Sequence, residues 1–214
     1  MNRIIVTGTD TGVGKTVFAA GLAGGLHAFY WKPVQSGLDP EGDSETVLRL
    51  SGLAPGRILP EAYRLQLPAS PHLSAREEGV EIDLQRLMPP AGSAPLVVEG
   101  AGGVLVPLTE TVLIADYFAR LGAPAILCAR TGLGTINHSL MSVEALRARG
   151  VPVAGILFIG DSHPENERIV PRLAGVPHLG RLPLLDPLDA ATLAGAMRAI
   201  DLDTIRKAMG WQAI

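Results

Sequence analysis

The sequence predicts an α/β fold with a mostly parallel sheet flanked by helices on both faces. Short apolar runs alternate with longer amphipathic segments, which is the pattern of strands that crossover helices bury from both sides. The first run leads through a glycine-rich turn into a helical segment, a β-turn-α unit typical of such domains. The length of 214 residues suits one domain, and we expect 1–214 to form it.

The individual elements follow from local patterns. Strands are predicted from short runs rich in β-branched and aliphatic residues, and helices from amphipathic stretches, several of which stop at Gly or Pro. The predicted strands cover residues 3–7, 28–32, 96–99, 125–129, 153–158 and 179–182. The predicted helices cover residues 15–26, 43–50, 112–121, 137–149, 165–173 and 190–200.

Residues 52–95 interrupt this alternation. Seven prolines allow only short elements there, because proline breaks helices and cannot donate a hydrogen bond inside a sheet. We interpret the segment as an insertion that lies over the functional site, and not as a second domain.

Composition restricts the partners and the compartment. The formal net charge of −3 and the isoelectric point of about 5.9 argue against a basic surface for nucleic acid. No apolar stretch approaches the roughly 20 residues that span a bilayer, and no signal-peptide pattern begins the chain. The single cysteine, Cys128, excludes a disulfide within the chain. We expect a cytoplasmic protein that binds neither nucleic acid nor membrane.

The turn after the first strand reads GTDTGVGKT, residues 8–16. It is similar to the P-loop pattern GxxxxGK[ST], with five residues instead of four between Gly8 and Gly14. In such a loop Gly12 and Gly14 admit the phosphates, Lys15 reaches the β- and γ-phosphates, and the Thr16 hydroxyl holds Mg²⁺. The turn therefore predicts a P-loop NTPase-like fold that binds a nucleoside triphosphate with magnesium. The alternative is a plain glycine turn.

Lys32 is a second candidate for the site. The chain has only three lysines, Lys15, Lys32 and Lys207, and Lys32 closes the second predicted strand and opens KPVQSG. Open α/β sheets bind ligands at the carboxyl ends of their strands, and an ammonium group suits an oxyanion. The alternative is a solvent-exposed strand end.

A third pattern, LVVEGAGG, places Glu99 after an apolar run and before three glycines. A carboxylate at a strand end near a P-loop can complete a Mg²⁺ shell, and Gly100, Gly102 and Gly103 let backbone approach the substrate closely. The alternative is a β-to-α turn with a solvated Glu.

The motifs GTDTGVGKT, KPVQSG, EGAGG and GTINHS, in this order and spacing, resemble the dethiobiotin synthetases of biotin biosynthesis over nearly the whole chain. The resemblance implies an enzyme that carboxylates 7,8-diaminononanoate with CO2 and closes it to a cyclic urea, releasing ADP and phosphate. The path runs through a carbamate and a carbamic-phosphoric anhydride. ATP and Mg²⁺ are the implied cofactors.

The resemblance also implies residue roles. Lys32 and Lys15 would act on the carbamate and the phosphates, Thr11 would line the junction between them, and Ser36 would contact substrate. Asp43, preferred over Glu45, would join Thr16 and Glu99 as a magnesium ligand. The residues implied for ATP and magnesium are Gly12, Val13, Gly14, Lys15, Thr16, Val17, Asp43, Glu99, Gly100, Ala101, Gly102, Leu182, Pro183 and Leu184.

The same resemblance implies a homodimer with shared active sites. The far carboxylate of the substrate would be received by a helix start in the partner subunit, where unpaired N–H groups suit an anion. The residues implied are Gly134, Thr135, Ile136 and Asn137. The alternative is an ordinary capped loop.

Two positions depart from the family pattern. Gly12 stands where some relatives carry Glu, so a contact from that carboxylate is absent. Ile159 and Gly160 precede Asp161, where relatives commonly have Asn before Asp to bind adenine. This departure predicts relaxed nucleotide choice, with base contacts left to the backbone near Leu182–Leu184.

Two other functions share this fold. Switch ATPases of the MinD and ParA kind carry an extra lysine near the start of the P-loop, where this chain has Asp10. Amidoligases of the cobyrinate-synthase kind add a glutaminase domain, for which 214 residues leave no room. The five histidines show no ligand spacing for zinc.

Overall fold

The computed structural model describes residues 2–38 and 40–211. Its strands are β1 (Arg3–Gly8), β2 (Phe29–Trp31), β3 (Val34–Ser36), β4 (Ile58–Leu59), β5 (Tyr63–Leu65), β6 (Leu96–Gly103), β7 (Ala125–Arg130), β8 (Val153–Ile159) and β9 (His178–Leu182). Its helices are α1 (Lys15–Leu26), α2 (Asp43–Ser51), α3 (Pro71–Glu77), α4 (Ile114–Leu121), α5 (Thr135–Arg147), α6 (Pro164–Ala174), α7 (Ala190–Ala196) and α8 (Leu202–Met209). Two 3-10 turns cover Pro55–Arg57 and Met197–Ala199.

The main sheet has seven parallel strands in the order β4-β2-β6-β1-β7-β8-β9. Its central strand β1 pairs with β6 on one side and β7 on the other. The register places Val6 opposite Glu99, and Trp31 opposite Val98. The P-loop, Lys32 and Glu99 therefore meet at the carboxyl edge of three neighbouring strands.

Both faces of the sheet are covered by apolar cores. Ile4 packs in a cluster with residues of α1, α2, α7 and α8, whereas its neighbour Ile5 packs in a cluster with residues of α4, α5 and α6. Both side chains are fully buried. Successive side chains of a strand point to opposite faces, so β1 must be apolar throughout, as in a sheet with helices on both sides. The predicted fold class is confirmed.

Element boundaries differ from prediction at a few places. The helix predicted from 112 begins at Ile114, because Val112 closes a turn in which its N–H donates to the Thr109 hydroxyl. The helix predicted over 137–149 covers Thr135–Arg147, starting directly after Gly134 with its positive φ of 92°. The predicted 190–200 helix ends at Ala196 in a 3-10 turn. The last helix, α8, was missed, although Asp201 caps it through the N–H of Thr204.

Residues 52–95 hold only short elements, as predicted. The segment contributes β4 to the edge of the main sheet, and β5 pairs with β3 in a separate two-stranded sheet. Its residues 68–71 form part of the cavity described below. Residues 68–71 thus contribute to the cavity, whereas β4 extends the main sheet, and the interpretation of 52–95 as an insertion stays a prediction. That the whole chain forms one domain stays a prediction.

Among the residues that the structure describes, no helix combines the length and apolar character that a membrane crossing requires. The cytoplasmic location stays a prediction.

Candidate active site

A cavity of about 560 Å³ opens at the carboxyl edge of β1, β2 and β6. Its walls come from the P-loop, the start of α1, the ends of β2 and β6, β3, the start of α2 and residues 68–71. The predicted site residues that line it are Thr11, Gly12, Gly14, Lys15, Thr16, Val17, Lys32, Ser36, Asp43, Glu99, Ala101 and Gly102. Most of the predicted site is thus brought together in one chain.

The P-loop is shaped by its glycines. Gly12 and Gly14 have φ angles of 69° and 100°, a region that other residues rarely adopt. Gly14 caps α1 without a side-chain hydrogen bond, so the first N–H groups of the helix stay available to an anion. The Lys15 ammonium donates to the Asp10 carbonyl at 2.8 Å and so bridges the loop.

A buried charge cluster forms the floor of the cavity. The Lys32 ammonium lies 2.5 Å from Asp43 Oδ2, 3.1 Å from Glu99 Oε1 and 3.2 Å from the Gly100 carbonyl oxygen. Glu99 Oε1 also accepts from the Thr16 hydroxyl at 2.9 Å. Lys32 is only 4% exposed and Glu99 only 1%. Two of the three predicted magnesium ligands, Asp43 and Glu99, therefore contact the Lys32 ammonium, and the third, Thr16, is hydrogen-bonded to Glu99.

The ionisation of these groups is set by burial and by each other. Burial opposes the charge of Lys32, but the carboxylates of Glu99 and Asp43 outweigh it and raise its pKa. Burial raises the pKa of Glu99, and Lys32 opposes that rise. For Asp43 the Lys32 charge overcomes burial and lowers the pKa. Burial, aided by Lys32, lowers the pKa of Lys15.

The donor set fits magnesium. Thr16, Asp43 and Glu99 offer only oxygen atoms, which Mg²⁺ prefers, and it commonly keeps several waters beside one or two carboxylates. Glu45, the other candidate, instead pairs with Arg64 at 2.7 Å on the surface. The structure therefore directs Asp43, and not Glu45, to the cavity.

Two polar residues of the cavity region went unrecognised at the sequence level. Tyr30, in β2, donates its hydroxyl to Glu99 Oε2 at 2.9 Å. Gln35, in β3, accepts from the N–H of Asp43 at 3.2 Å and so fixes the start of α2. Gln35 was visible within KPVQSG, whereas nothing in the sequence distinguished Tyr30 from an ordinary core residue.

Some predicted residues lie outside the cavity. Leu182 ends β9, where its carbonyl accepts from the N–H of Gly160 at 3.0 Å, and Pro183 and Leu184 follow the strand. Gly134–Asn137 form the start of α5, where Ile136 is 39% exposed and Leu133 fully exposed. Val13 lies within the P-loop but its side chain is buried, and the Gly100 carbonyl accepts from Lys32.

Fold and site together define a P-loop nucleotide-binding protein, and a family model described as an AAA domain matches residues 2–192. ATP-dependent dethiobiotin synthetase BioD of Nitrobacter hamburgensis is 63% identical over 194 residues, 91% of this chain and 92% of that protein. The chain belongs to the ATP-dependent dethiobiotin synthetase family, which confirms the resemblance of its four motifs.

Further relatives agree in sequence, and solved structures agree in fold. Proteins of the same name from Rhodopseudomonas palustris and Brucella anthropi are 61% and 59% identical over 92% of this chain and 93% and 94% of theirs. A ParA family ATPase from Chlorobium tepidum has a TM-score of 0.55 at 12% identity, covering 97% of this chain and 96% of its own. A MinC:MinD complex from Aquifex aeolicus has a TM-score of 0.58 at 13% sequence identity, and the match covers 100% of this chain and 98% of that one. At such identity the switch ATPases share the fold alone.

Proposed function

We propose that this ATP-dependent ligase of biotin synthesis carboxylates 7,8-diaminononanoate with CO2 and closes it to the cyclic urea dethiobiotin. Family membership supports the ligase class. The observation that carries the proposal is the buried Lys32 ammonium, which shares one cavity with the P-loop and with Ser36. Ser36 Oγ is buried and has no hydrogen-bond partner among the described residues, so it can bind a substrate group.

The reaction needs positioning and charge neutralisation more than a covalent nucleophile. A carbamate oxygen attacks the γ-phosphorus of ATP and ADP leaves; the second amine then attacks the carbamoyl carbon and phosphate leaves. The start of α1 and Lys15 would hold the phosphates, with Thr11 near the carbamate. Cys128 takes no part, because it is buried and burial raises its pKa, which keeps the thiol protonated.

Lys32 would neutralise the carbamate and the transferring phosphoryl group. Its three N–H donors already have acceptors on Asp43, Glu99 and Gly100. A carbamate oxygen can therefore bind Lys32 only when one of these acceptors turns to another cation. Thr16, Asp43 and Glu99 would hold that cation, Mg²⁺, which when bound neutralises charge on the phosphoryl oxygens.

Asp43→Ala should raise the Mg²⁺ concentration for half-maximal turnover at least about tenfold, because a carboxylate aimed into the cavity is lost. Glu45→Ala, the matched control on the same helix, should change it less than about twofold, because Glu45 pairs with surface Arg64. Mg²⁺ titrations of turnover at saturating ATP make the comparison. A larger effect of Glu45→Ala than of Asp43→Ala would show that Glu45, and not Asp43, is the magnesium ligand.

Nucleotide choice is proposed to be relaxed. Gly160 takes the position where relatives place an adenine-binding Asn, and its carbonyl accepts from Arg181 at 2.9 Å. The backbone groups of residues 182–184 would then make the contacts to the nucleotide base.

We expect kcat/KM for ATP to exceed the values for GTP and CTP by no more than about tenfold, because no amide side chain selects the base. Steady-state kinetics with each nucleotide test this. An ATP preference on the order of a thousandfold would show that backbone contacts suffice for selectivity.

The active site is proposed to be shared in a homodimer. The start of α5 is exposed, and Gly134 caps it without a side-chain hydrogen bond. Its N–H groups can receive the substrate carboxylate from the neighbouring chain. Exposed Leu133, Ile136 and Met141 suit burial against a partner.

The proposed function is tested by phosphate release. Release should require both diaminononanoate and bicarbonate, and should not respond to DNA or lipid vesicles. Stimulation by DNA or lipid without the amine would favour a switch ATPase instead.

A further inference from the structure

Tyr30 lies beneath the charge cluster and has no part in the function described so far. Its side chain is fully buried, and its hydroxyl donates to Glu99 Oε2 at 2.9 Å. The other carboxylate oxygen, Oε1, accepts from Thr16 and Lys32. The two carboxylate oxygens of Glu99 thus have different partners: Oε2 binds Tyr30 in the core, and Oε1 binds Thr16 and Lys32 at the cavity.

We propose that Tyr30 is a positioning residue of the magnesium site. By holding Oε2, it turns Oε1 of Glu99 toward the cavity and toward Thr16. This inference rests on the proposed function in one respect, the role of Glu99 as a magnesium ligand.

The sheet places the two side chains together. Tyr30 is opposite Val97 in the parallel pair β2–β6, and Glu99 is two residues further along, so both point to the same face. Tyr30 belongs to the buried cluster that includes Phe18 of α1 and Val47 of α2. Close packing of the ring holds the hydroxyl at a fixed place.

Glu99 needs such a partner. The last torsion of a glutamate side chain is broad, so packing alone does not decide which way its carboxylate plane turns. Buried carboxylate oxygens also need donors, because water is not there to supply them. Without the Tyr30 hydroxyl, Lys32 and Thr16 would be the only hydrogen-bond donors left to Glu99 among the described residues. The carboxylate of Glu99 would then turn to satisfy these two donors, and neither of its oxygens would be held in place for the metal.

Tyr117 provides a matched control. It is a buried tyrosine in the opposite core, and its hydroxyl donates to the Leu87 carbonyl at 2.8 Å. Replacing either residue by Phe removes one buried hydroxyl and keeps the ring. Tyr30→Phe and Tyr117→Phe should therefore lose comparable thermal stability, while only the former changes the site.

The test is direct binding of Mn²⁺, as a spectroscopic substitute for Mg²⁺, to each variant with ADP, measured by electron paramagnetic resonance. Tyr30→Phe should weaken metal binding by about tenfold, the size typical of residues that orient a ligand, and Tyr117→Phe by less than about twofold. ADP binding without metal should be unchanged in both. Equal metal affinity in the two variants would overturn the inference.

Glu99→Gln separates this inference from the proposed site. If Glu99→Gln binds Mn²⁺ as tightly as the parent, the proposed magnesium site is wrong. If it binds weakly while Tyr30→Phe matches Tyr117→Phe, the role of Tyr30 alone fails.

A second measurement does not depend on any variant folding. The chain has three tyrosines, which can be labelled with ¹³C at the ζ carbon and followed by NMR as Mg²⁺ is added with ADP. The Tyr30 resonance should move, because its acceptor Glu99 gains a metal, while Tyr63 and Tyr117 should not. A Tyr30 resonance that stays in place at saturating metal would contradict the inference.

Discussion

Replacing Lys32 by alanine should lower kcat by about a thousandfold, because one preorganised donor on a developing oxyanion contributes about 10²- to 10³-fold and the role proposed for Lys32 includes binding the carbamate. Lys32→Arg should not restore activity although it keeps the charge. The guanidinium is longer and planar, and the site, 4% exposed, fits a single ammonium between Asp43, Glu99 and Gly100. Single-turnover assays measure the loss.

The control is Lys207→Ala, which removes an exposed lysine on α8 and should leave kcat unchanged. Nucleotide binding, measured with a fluorescent ATP analogue, should survive in all three variants, because Lys15 and the P-loop are intact. Near-normal turnover of Lys32→Ala would show that Lys32 takes no part in the reaction.

Mixing two inactive variants should restore activity if the site is shared between chains. One variant is Lys32→Ala, and the other is Ile136→Pro, which removes a backbone donor in the first turn of α5. In a mixed dimer one site combines an intact cavity with an intact helix start. Random exchange makes about half of the dimers mixed, each with one intact site of two, so about a quarter of the parent activity should return.

A control mixture of Lys32→Ala with Lys32→Arg should stay inactive, because both changes affect the cavity of their own chain. No recovery in the first mixture despite proven mixed dimers would exclude a shared site. A monomer in sedimentation experiments during turnover would exclude it as well.

The parts of the site that the sequence predicted depend on local pattern and sheet topology. GTDTGVGKT forms its loop from neighbouring residues, so Lys15 and Thr16 could be placed from that motif alone. Lys32 and Glu99 end two different predicted strands, and a parallel sheet brings such ends to one edge.

Other features depend on tertiary packing that no local pattern encodes. The Tyr30 contact requires both the pairing of β2 with β6 and the face on which Glu99 points. The pairing with Arg64 holds Glu45, one of the two carboxylates in the first turn of α2, at the surface, and Arg64 lies in the irregular segment. Short strands such as β4 carried no periodic signal, because two residues cannot show one.

The start of α5 and residues 182–184 carry no local pattern that identifies a ligand. Neither lines the main cavity, so the roles proposed for them would require a partner subunit and a bound nucleotide base. Resemblance to a family implied those roles, whereas the residues themselves would also suit an ordinary loop.

The central claim is best tested by following the carbon that the reaction adds. The purified protein is incubated with 7,8-diaminononanoate, ATP, Mg²⁺ and ¹³C-bicarbonate, and the products are analysed by mass spectrometry. The account predicts dethiobiotin with one ¹³C atom in its urea carbonyl, formed in step with phosphate. ATP hydrolysis without labelled dethiobiotin, or product whose urea carbon is unlabelled, would contradict it.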